Sequence, residues 1–535
     1  MEVSQQIHGS HATPSPCGQY VASIDKAKLK ICSTSAPDRF TTVSIRTSKN
    51  IFALTWNDDS RSIAVAAAQC IEILDLDDSG HRIRLDNGSG SLGQFASVEF
   101  VGSGQLLVLW EFGKTKLFDT FSGKAIELAD VKTSSAGQLW QMRPSNGNTA
   151  TQTLAALERS GAEDILNVYL PAAQKQIAAT KIGTLDAQSL SWSPDGRWLA
   201  VLDTPTAGTS VHIFTPDGHR FRSYPPISDS PSSGLGVKSC VWSNNSPILA
   251  LTKYDGKIIL LNAQTFVPIA MIEHTTAIDQ RTIPEEQQAP VWQESVLASG
   301  ERSYSGIAQP VSPSLTRVKP TTEPNELGVA EACFSSDGSY LASRDERMLN
   351  TVWIWNMATL TTHAVLIQHS NVKRLHWHPT RPQSLLVDCA EGIAYAFDAG
   401  SGGPPVPMPT SMPGIATMSW LHTTEDARPA ILLTAKSSFR ILYTEGLPTD
   451  SDRQVFAGPA STDAFDEGAS DDSIFDVLSG RKPMPVKTDQ SYTERLDFEV
   501  ETEEENLSTH MDDTFREKRV RKSAVVDPFD DSQIF

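Results

Sequence analysis

The chain has 535 residues, of which 39% are hydrophobic and 20% charged, so it is able to bury a core and is neither disordered as a whole nor collagen-like. Its clean apolar runs, such as Ile258–Leu261, hold at most six residues, whereas a membrane-crossing helix needs about 20. The N-terminus lacks the basic and apolar regions of a secretion signal. Six cysteines, no two of them within ten residues, argue against a C-x-x-C zinc site or a disulfide scaffold. We therefore expect no membrane association and a reducing compartment.

The negative charge is concentrated at the C-terminal end. The net charge of the chain is −19, and Leu447–Phe535 holds 22 acidic and 10 basic side chains. This segment lacks hydrophobic periodicity, so we predict a disordered acidic tail over 447–535 after a folded region over 1–446. The folded region is acidic as well, and acidic proteins repel phosphate backbones. We expect no nucleic-acid partner.

A repeated segment indicates the fold. Its clearest copy is Ser191–Ala200, in which an aromatic residue is followed by a polar turn and a short apolar strand, and near-copies begin at Val241 and Cys333. The aromatic or bulky slots of the copies lie at positions 14, 56, 100, 142, 192, 242, 334, 377 and 420. A period of about 40–45 residues is that of a four-stranded propeller blade. The wider gap between 242 and 334 indicates an insertion or one degenerate blade.

Local chemistry favours strands over helices in each unit. Asp195-Gly196 and Asp337-Gly338 are predicted hairpin turns, since both residue types tolerate the positive φ of tight turns. Thr351–Asn356 is predicted to be the third strand of its unit, with two tryptophans on one face. Matching third strands are predicted at Cys70–Leu76, Lys116–Asp119, Leu166–Leu170, Val211–Phe214, Ala394–Asp398 and Phe439–Tyr443. The predicted fold class is all-β: a β-propeller of about nine blade units, with a possible tenth at Val291–Val311, in one large ring or two smaller ones.

Residues that could carry chemistry are few. The sequence has no phosphate-binding glycine loop, no H-E-x-x-H and no G-x-S-x-G, the patterns that would indicate nucleotide, zinc or hydrolase sites. His376 and His378 have a spacing that a metal site can use, but no third ligand stands near them. The Asp-Gly pairs at 195, 255 and 337 lack the rest of a calcium loop and are interpreted as turns. We predict no catalytic, cofactor-binding or metal-binding residue, and the residues that bind protein partners stay unknown.

Five tryptophans, at positions 56, 192, 242, 377 and 420, repeat in register. We interpret them as an inner-strand core in which each buries a large apolar area. The alternative is a ligand cage, which requires several of them to converge on one rim. The two interpretations differ in whether the indole rings are spread around the fold or gathered at one place.

The predicted tail holds further candidates. The basic run Arg516–Lys522 is either a nuclear-import or tubulin-tail contact or, as we favour, a solvated charge cluster. Asp527–Phe529 is either a docking motif of the kind that adaptor proteins bind or a chance match. Candidate acidophilic-kinase sites, where phosphorylation would add negative charge, are Ser470, Ser473, Thr502 and Ser508.

The repeat resembles the WD-repeat propeller. His369 precedes the slot aromatic Trp377 by eight residues, and His274 stands at the end of an earlier unit. The resemblance implies that such a histidine lies at a blade edge and bonds a neighbouring aspartate or serine, which ties blade to blade. The terminal Trp-Asp pair of the repeat departs from the pattern, since it is Trp355-Asn356 in the best unit.

A narrower resemblance covers most of the folded region. Gly236–Ser243 is followed by Tyr254–Lys257, then by a proline-rich insertion over 275–325, and then by Val352–Trp355. This order of segments resembles the WD-repeat family of centrosomes and spindle pole bodies, the WRAP family. Since prolines interrupt regular structure, the insertion is predicted to be mostly loop.

The insertion is also predicted to hold one strand pair, near Val291–Leu297 and Tyr304–Ala308.

The family resemblance implies a function as well. By this resemblance the protein is expected to be a non-enzymatic scaffold of the cytoplasm and cytoskeleton that lies at the microtubule-organising centre (centrosome or spindle pole body). The resemblance implies partners of three kinds: a coiled-coil protein that anchors microtubule minus ends, a minus-end-directed kinesin, and other spindle-pole components. Together they would anchor minus ends and organise the spindle.

Two other functions stay open at this point. The first is a propeller adaptor in another cytosolic complex, such as translation initiation, although an acidic body without basic rims argues against ribosome binding. The second is a propeller enzyme with catalytic groups around the channel. An enzyme of that kind would need carboxylates or histidines that recur at one blade position, and the slots show none.

Overall fold

The computed structural model describes residues 1–446 except 47–49, 78–81, 88–92, 103, 112, 129–130, 133–138, 145–151, 174, 226–234, 245–247, 285–286, 317–326, 411, 413–415 and 422–427. These residues belong to a compact unit that runs from Met1 to Phe498. A second unit, Glu499–Phe535, and the whole of the predicted tail over 447–535 lie outside the described residues.

Short β-strands make up nearly all of the regular structure. The strands of the first half are β1 Glu2–Val3, β2 Ile7–His8, β3 Ser10–Pro14, β4 Tyr20–Asp25, β5 Lys28–Ser33, β6 Phe40–Ser44, β7 Ile51–Trp56, β8 Ser62–Ala67, β9 Cys70–Asp75, β10 Arg82–Asp86, β11 Phe95–Phe100, β12 Gln105–Trp110, β13 Thr115–Asp119, β14 Ala125–Leu128, β15 Trp140–Met142, β16 Leu154–Ser160, β17 Glu163–Leu170 and β18 Lys175–Lys181.

The strands of the second half are β19 Ser189–Trp192, β20 Leu199–Leu202, β21 Val211–Phe214, β22 Arg220–Tyr224, β23 Val237–Trp242, β24 Ile248–Lys253, β25 Lys257–Asn262, β26 Pro268–Glu273, β27 Val291–Val296, β28 Arg302–Gly306, β29 Val329–Phe334, β30 Tyr340–Asp345, β31 Thr351–Asn356, β32 Thr361–Ile367, β33 Arg374–Trp377, β34 Ser384–Asp388, β35 Ile393–Asp398, β36 Val406–Pro409, β37 Thr417–Trp420, β38 Ala430–Thr434 and β39 Ser438–Tyr443. Single 3-10 turns occur at Pro171–Ala173, Pro205–Ala207 and Glu346–Met348.

The strands pair into nine sheets, which we call blades 1 to 9. Blades 1 to 6 take β3 to β26 in consecutive groups of four, blade 7 takes β29–β32, and blade 8 takes β33–β36. Blade 9 takes β37–β39 and is completed by the N-terminal strands β1 and β2, with Val3 opposite Leu442 and Ile7 opposite Phe439. The two ends of the folded region are therefore held together in one sheet.

The nine blades follow one another in a single ring. First strands of successive blades lie side by side at most junctions, as β3 and β7, β15 and β19, and β29 and β33 do, and β3 of blade 1 lies beside β39 of blade 9. Buried side chains fill the spaces between blades, as Leu117 of blade 3, Leu157 of blade 4 and Trp192 of blade 5 do in one continuous cluster. The predicted all-β propeller of nine units is confirmed, and of the two predicted arrangements the structure has one large ring.

Each predicted slot is the last residue of an inner strand. All nine slot residues, from Pro14 in blade 1 to Trp420 in blade 9, are the last residue of the first strand of their blade. The turn that follows explains the repeat: Ser193 Oγ accepts a hydrogen bond from Trp198 N (3.0 Å), and Ser193 donates to Asp195 Oδ1 (2.6 Å). Gly196 has a φ of +66°, which a residue with a Cβ rarely adopts. The Asp-Gly pairs are thus turns, as predicted.

The register tryptophans are structural. Trp56, Trp192 and Trp242 are buried, and the indole N–H of every one of the five donates to a carbonyl of the preceding blade. The pairs are Trp56 to Thr13 (3.0 Å), Trp192 to Gln141 (3.1 Å), Trp242 to Ser191 (3.2 Å), Trp377 to Cys333 (2.9 Å) and Trp420 to His376 (2.9 Å). Since each bond joins a different pair of blades, the rings are spread around the fold and do not form a cage.

Candidate functional site: the insertion on blades 7 and 8

The insertion leaves the ring at a buried histidine. His274 follows β26 and is 1% exposed. Its Nδ1 lies 2.9 Å from the Gly256 carbonyl and its Nε2 lies 2.8 Å from Ser343 Oγ, which also accepts from Trp355 Nε1 at 2.9 Å. Because a carbonyl only accepts, Nδ1 carries the hydrogen and Nε2 accepts from the Ser343 hydroxyl. The predicted blade-to-blade histidine is confirmed here, with a serine as its partner.

His274 makes the stability of the protein sensitive to pH. Burial lowers its pKa below the ordinary 6.5, because the charged ring would lose its hydration. Below pH 6.5 the unfolded chain binds a proton that the folded chain does not bind, so we expect the free energy of unfolding to decrease as the pH falls from 6.5 towards 5. His274→Gln should be less stable at pH 7.5 and should flatten this decrease in urea unfolding. His369→Gln is the control, since His369 is exposed and its substitution should leave the profile unchanged.

His369 is not a second histidine of this kind, which corrects the prediction. Its side chain is exposed, and its backbone N–H donates to Glu294 Oε2 at 2.7 Å. The buried neighbour Gln368 points inward instead, and its Oε1 accepts from the Tyr304 hydroxyl. The physical reason is the insertion: its strands cover this corner of blade 7, so a glutamine that faces Tyr304 takes the interior position.

Hydrogen bonds join the later part of the insertion to its first residues and to blade 7. Ile278 and Val311 bond each other through both backbone groups, at 2.8 and 3.0 Å. Thr316 then donates from its backbone N–H to the Arg347 carbonyl (2.8 Å) and from its hydroxyl to the Glu346 carbonyl (2.6 Å). Both acceptors lie in the 3-10 turn between β30 and β31. The Ile278–Val311 pair therefore closes the insertion on itself, and Thr316 ties it to blade 7.

The predicted strand pair of the insertion is confirmed as β27 and β28, here called the insertion hairpin. It is not a tenth blade, because β27 pairs in parallel with β32 and extends blade 7 to six strands. The second strand begins at Arg302, two residues before the predicted Tyr304. The signal that sequence reasoning missed is the alternation of side chains: Trp292, Glu294 and Tyr304 face inward, while the serines and the glutamine between them are exposed.

A buried charged cluster fixes the hairpin to blade 8. Arg302 Nη1 donates to Glu294 Oε1 (2.9 Å), to Glu391 Oε1 (2.9 Å) and to Tyr395 OH (2.6 Å). The Tyr395 hydroxyl lies 2.9 Å from Glu294 Oε1 and 2.8 Å from Glu391 Oε1, and Ser370 donates to Glu391 Oε2 at 2.6 Å. Glu294 has a side chain that is fully buried, and that of Arg302 is 14% exposed.

The protonation states of this cluster follow from its contacts. Burial alone would raise the pKa of Glu391, but hydrogen bonds from Ser370, Tyr395 and Arg302 outweigh it and lower the pKa. Burial, together with the two carboxylates, raises the pKa of Tyr395. The cluster therefore holds an ionised Arg302 and a neutral Tyr395. The members of the cluster bond one another across the junction, so the arrangement serves to hold the hairpin against blade 8.

Three large apolar side chains are exposed on the outside of the insertion. Ile283, Leu297 and Leu315 are 40%, 55% and 57% exposed. They are carried on the insertion, whose hairpin is bonded to blade 7 by strand pairing and to blade 8 through Arg302. Exposed apolar side chains on a rigid support are a common feature of protein-binding surfaces, because little conformational entropy is lost on binding.

The other predicted positions have structural contacts. His378 is buried, its ring lies 4.7 Å from that of Trp420, and its Nδ1 accepts from Arg381 N at 3.0 Å. Trp353 and Trp355 stack on one face of β31, as predicted, with ring centroids 5.5 Å apart. In the part of the chain that the structure describes, no three histidine, cysteine, aspartate or glutamate side chains come together as a metal site would require.

Three further findings complete the description. All six cysteines are free. Among the described residues no helix is long and apolar enough to cross a membrane. The tail candidates, namely Arg516–Lys522, Asp527–Phe529, Ser470, Ser473, Thr502 and Ser508, lie outside the described residues and stay predictions.

Four-stranded blades in a ring, joined by indole bonds and by the His274–Ser343–Trp355 contacts, define a WD-repeat β-propeller. The chain is 28% identical over 309 residues to the WD repeat-containing protein WRAP73 of Mus musculus, a match that covers 55% of this chain and 64% of that protein. It is 23% identical over 462 residues to an uncharacterized WD repeat-containing protein of Schizosaccharomyces pombe, covering 82% of this chain and 91% of the relative. These matches confirm the predicted resemblance to a WRAP-family WD-repeat protein.

The first of these matches spans just under two thirds of the mouse protein. No family model matches the chain. Similar solved structures are the C-terminal WD40 domain of Sif2 (11% identity, 74% of this chain, 98% of that chain, TM-score 0.42), a eukaryotic initiation factor (11%, 74%, 86%, 0.48) and Saccharomyces cerevisiae Sqt1 (9%, 82%, 97%, 0.46). At these identities the likeness concerns the fold alone. A WD-repeat propeller presents wide, rigid surfaces of the kind that scaffolds for protein–protein interaction use.

Proposed function

We propose that this scaffold is non-enzymatic and acts at the microtubule-organising centre, a centrosome or spindle pole body, in the cytoplasm and cytoskeleton. There it would bind a coiled-coil protein that anchors microtubule minus ends and a minus-end-directed kinesin, together with other spindle-pole components. Its contribution would be to hold these partners at minus ends while the spindle is organised.

The observation that carries the proposal is the insertion. Its place in the order of repeat segments is part of the family resemblance, and the structure shows it as a fixed hairpin on blades 7 and 8. Because Arg302 bonds Glu391 on a different blade, the hairpin is held in one place and can present a defined surface to a partner. The similarity to WRAP73 supports the same assignment.

Imaging tests the location. A tagged chain expressed at its normal level is expected to give one or two foci that coincide with a spindle-pole marker through mitosis. Removal of residues 447–535 should leave these foci in place, because the family resemblance is confined to the folded region. A diffuse signal, or co-sedimentation with polysomes, would contradict the proposal and favour the translation adaptor.

Substitution tests the surface. The double variant Leu297→Asp/Leu315→Asp places charges on exposed positions of the insertion and should reduce co-purification of the coiled-coil partner at least tenfold without changing thermal stability. The matched control is Val406→Asp, at a residue of blade 8 that is 60% exposed. If the wild type, the double variant and Val406→Asp bound the coiled-coil partner equally well, partners would use another surface.

A further inference from the structure

One end of the ring carries a row of exposed cations. Because each slot indole bonds the residue just before the slot of the preceding blade, the first strands of these blades run in the same direction. A first strand begins beside the turn that joins the second and third strands, as the pairing of Arg374 with Asp388 shows. We call this end of the ring the entry face.

Six exposed cations of the entry face follow one another over blades 8, 9 and 1. They are Lys373 and Arg374 at the start of β33, Lys436 between β38 and β39, Lys26 and Lys28 at the turn from β4 to β5, and Arg46 between β6 and β7. We call these six side chains the basic arc. They are spread over most of the folded region in sequence, which is why the expectation of an acidic body without basic rims is wrong at this end of the ring.

Hydrogen bonds connect the parts of the basic arc around the ring. The pairs are Met418 N and the Asp388 carboxylate (3.3 Å) between blades 8 and 9, Gly9 N and the Ser437 carbonyl (3.0 Å) between blades 9 and 1, and Ile45 N and the Ala27 carbonyl (3.0 Å) beside Arg46. Since packed sheets lie about 10 Å apart, an arc over three blades is roughly 30 Å long. The six cations therefore belong to one continuous surface.

The cations of the basic arc are not neutralised by ion pairs. In the part of the chain that the structure describes, none of the six side chains lies within ion-pair distance of a carboxylate. Several cations elsewhere on the surface are paired, as Lys181 is with Glu163 at 2.6 Å and Arg84 with Asp86 at 2.8 Å. The charges of the basic arc are therefore available to a ligand.

The carboxylates that the described chain places in the same turns are already bonded. Asp25 pairs with Lys30 at 2.6 Å. Asp388 is 1% exposed and accepts two backbone N–H groups, and Glu391 bonds Arg302 at 2.9 Å. The arc thus keeps a positive charge although the net charge of the chain is −19. A local field of this sign attracts a negatively charged ligand.

We propose that the basic arc binds an extended acidic segment of a partner protein. About ten extended residues span the roughly 30 Å of the arc. Charge complementarity of this kind speeds association and fixes the orientation of a partner. The arc begins on blade 8, the blade to which Arg302 bonds the insertion hairpin, so it continues the surface of the insertion across the entry face.

A nucleic acid fits the basic arc less well than an acidic protein segment does. The net charge of −19 repels a phosphate backbone that runs on beyond the arc. Among the described residues of these turns there is no exposed phenylalanine, tyrosine or tryptophan, the side chains on which the bases of a single strand stack. A short acidic segment pairs with the arc without bringing further charge onto the rest of the surface.

Fluorescence anisotropy with the full chain and a defined peptide tests the proposal. The probe is a labelled peptide of alternating glutamate and glycine, about twelve residues long so that it spans the arc, and its reference has glutamine in place of glutamate. The wild type should bind the glutamate peptide about tenfold more tightly than the glutamine peptide at low salt. The difference should decrease as the salt concentration rises, because salt screens exposed charges.

Charge reversal locates the binding surface. Lys26→Glu/Lys28→Glu/Lys436→Glu should lower the affinity for the glutamate peptide about tenfold. Its melting temperature should stay that of the wild type, since these side chains make no ion pair. The matched control, Arg39→Glu/Lys124→Glu/Lys175→Glu, makes the same change in net charge at exposed cations. Its three positions lie in turns between third and fourth strands, at the opposite end of the ring, and it should bind as the wild type does.

Three outcomes would overturn the proposal. The first is equal binding of the glutamate and glutamine peptides by the wild type. The second is an equal loss of affinity in the two triple variants, because net charge alone would then explain binding. The third is tighter binding of a labelled oligothymidine of the same length than of the glutamate peptide, which would favour a nucleic acid. The proposed function is untouched by these outcomes, because its tests measure location and co-purification through the insertion.

Discussion

Replacing Trp242 by alanine is expected to lower the free energy of unfolding by about 3–5 kcal/mol, since it leaves a large cavity in a packed interior. Trp242 is 7% exposed and lies in the cluster between blades 5 and 6. Its ring meets that of Phe266 edge-on at 6.3 Å, and its N–H donates to the Ser191 carbonyl at 3.2 Å. The substitution removes the apolar contact and the inter-blade hydrogen bond together.

Urea unfolding followed by circular dichroism measures this loss. Trp242→Phe is the informative companion, because it keeps an aromatic ring in the cluster and removes the N–H; a smaller loss, with about 1 kcal/mol from the hydrogen bond, is expected. Partner binding by the alanine variant should fall only as far as its folded fraction falls. A variant that folds with normal stability yet loses one partner would show that Trp242 is a surface contact.

The blades were predictable from the sequence because their determinants are local. Trp192, the turn serine that follows it and the Asp195-Gly196 pair all lie within five positions, and each of them bonds or packs against near neighbours in the sequence. The repetition of this unit then indicates about nine blades. Whether nine units form one ring or two depends on how β39 meets β3, a contact between the two ends of the folded region that no local pattern encodes.

The surroundings of the insertion were only partly predictable. The prolines and the strand pair could be identified from composition, but parallel pairing of β27 with β32 joins segments about 70 residues apart. The contact between Arg302 and Glu391 spans 89 residues, and isolated charged residues in a sequence do not indicate a buried cluster. The same long-range packing decides that Gln368 is buried and His369 exposed, a choice that two adjacent polar residues do not reveal.

Replacing Arg302 by methionine should be the most disruptive change in the insertion. It keeps an unbranched side chain of similar length but removes the cation that Glu294 and Glu391 share. The buried carboxylate of Glu294 and the partly buried carboxylate of Glu391 would then face each other through the Tyr395 hydroxyl, and the loss of one partner of a buried ion pair costs about 3–5 kcal/mol. Because these contacts join the hairpin to blade 8, we expect the hairpin to detach and limited proteolysis to cut the insertion faster than it does in the wild type.

Three comparisons separate this cause from a general loss of packing. The stability deficit of Arg302→Met relative to the wild type should become smaller as the pH is lowered from 7 to 5, because one of the two carboxylates can then take up a proton. Adding Glu294→Gln should restore part of the stability at pH 7, since it removes one of the unpaired charges. Arg281→Met, which breaks the solvent-exposed pair with Asp279 in the same insertion, should change neither stability nor cleavage. If Arg302→Met and Arg281→Met behaved alike, the cluster would not hold the hairpin, and the backbone pairing of β27 with β32 would suffice.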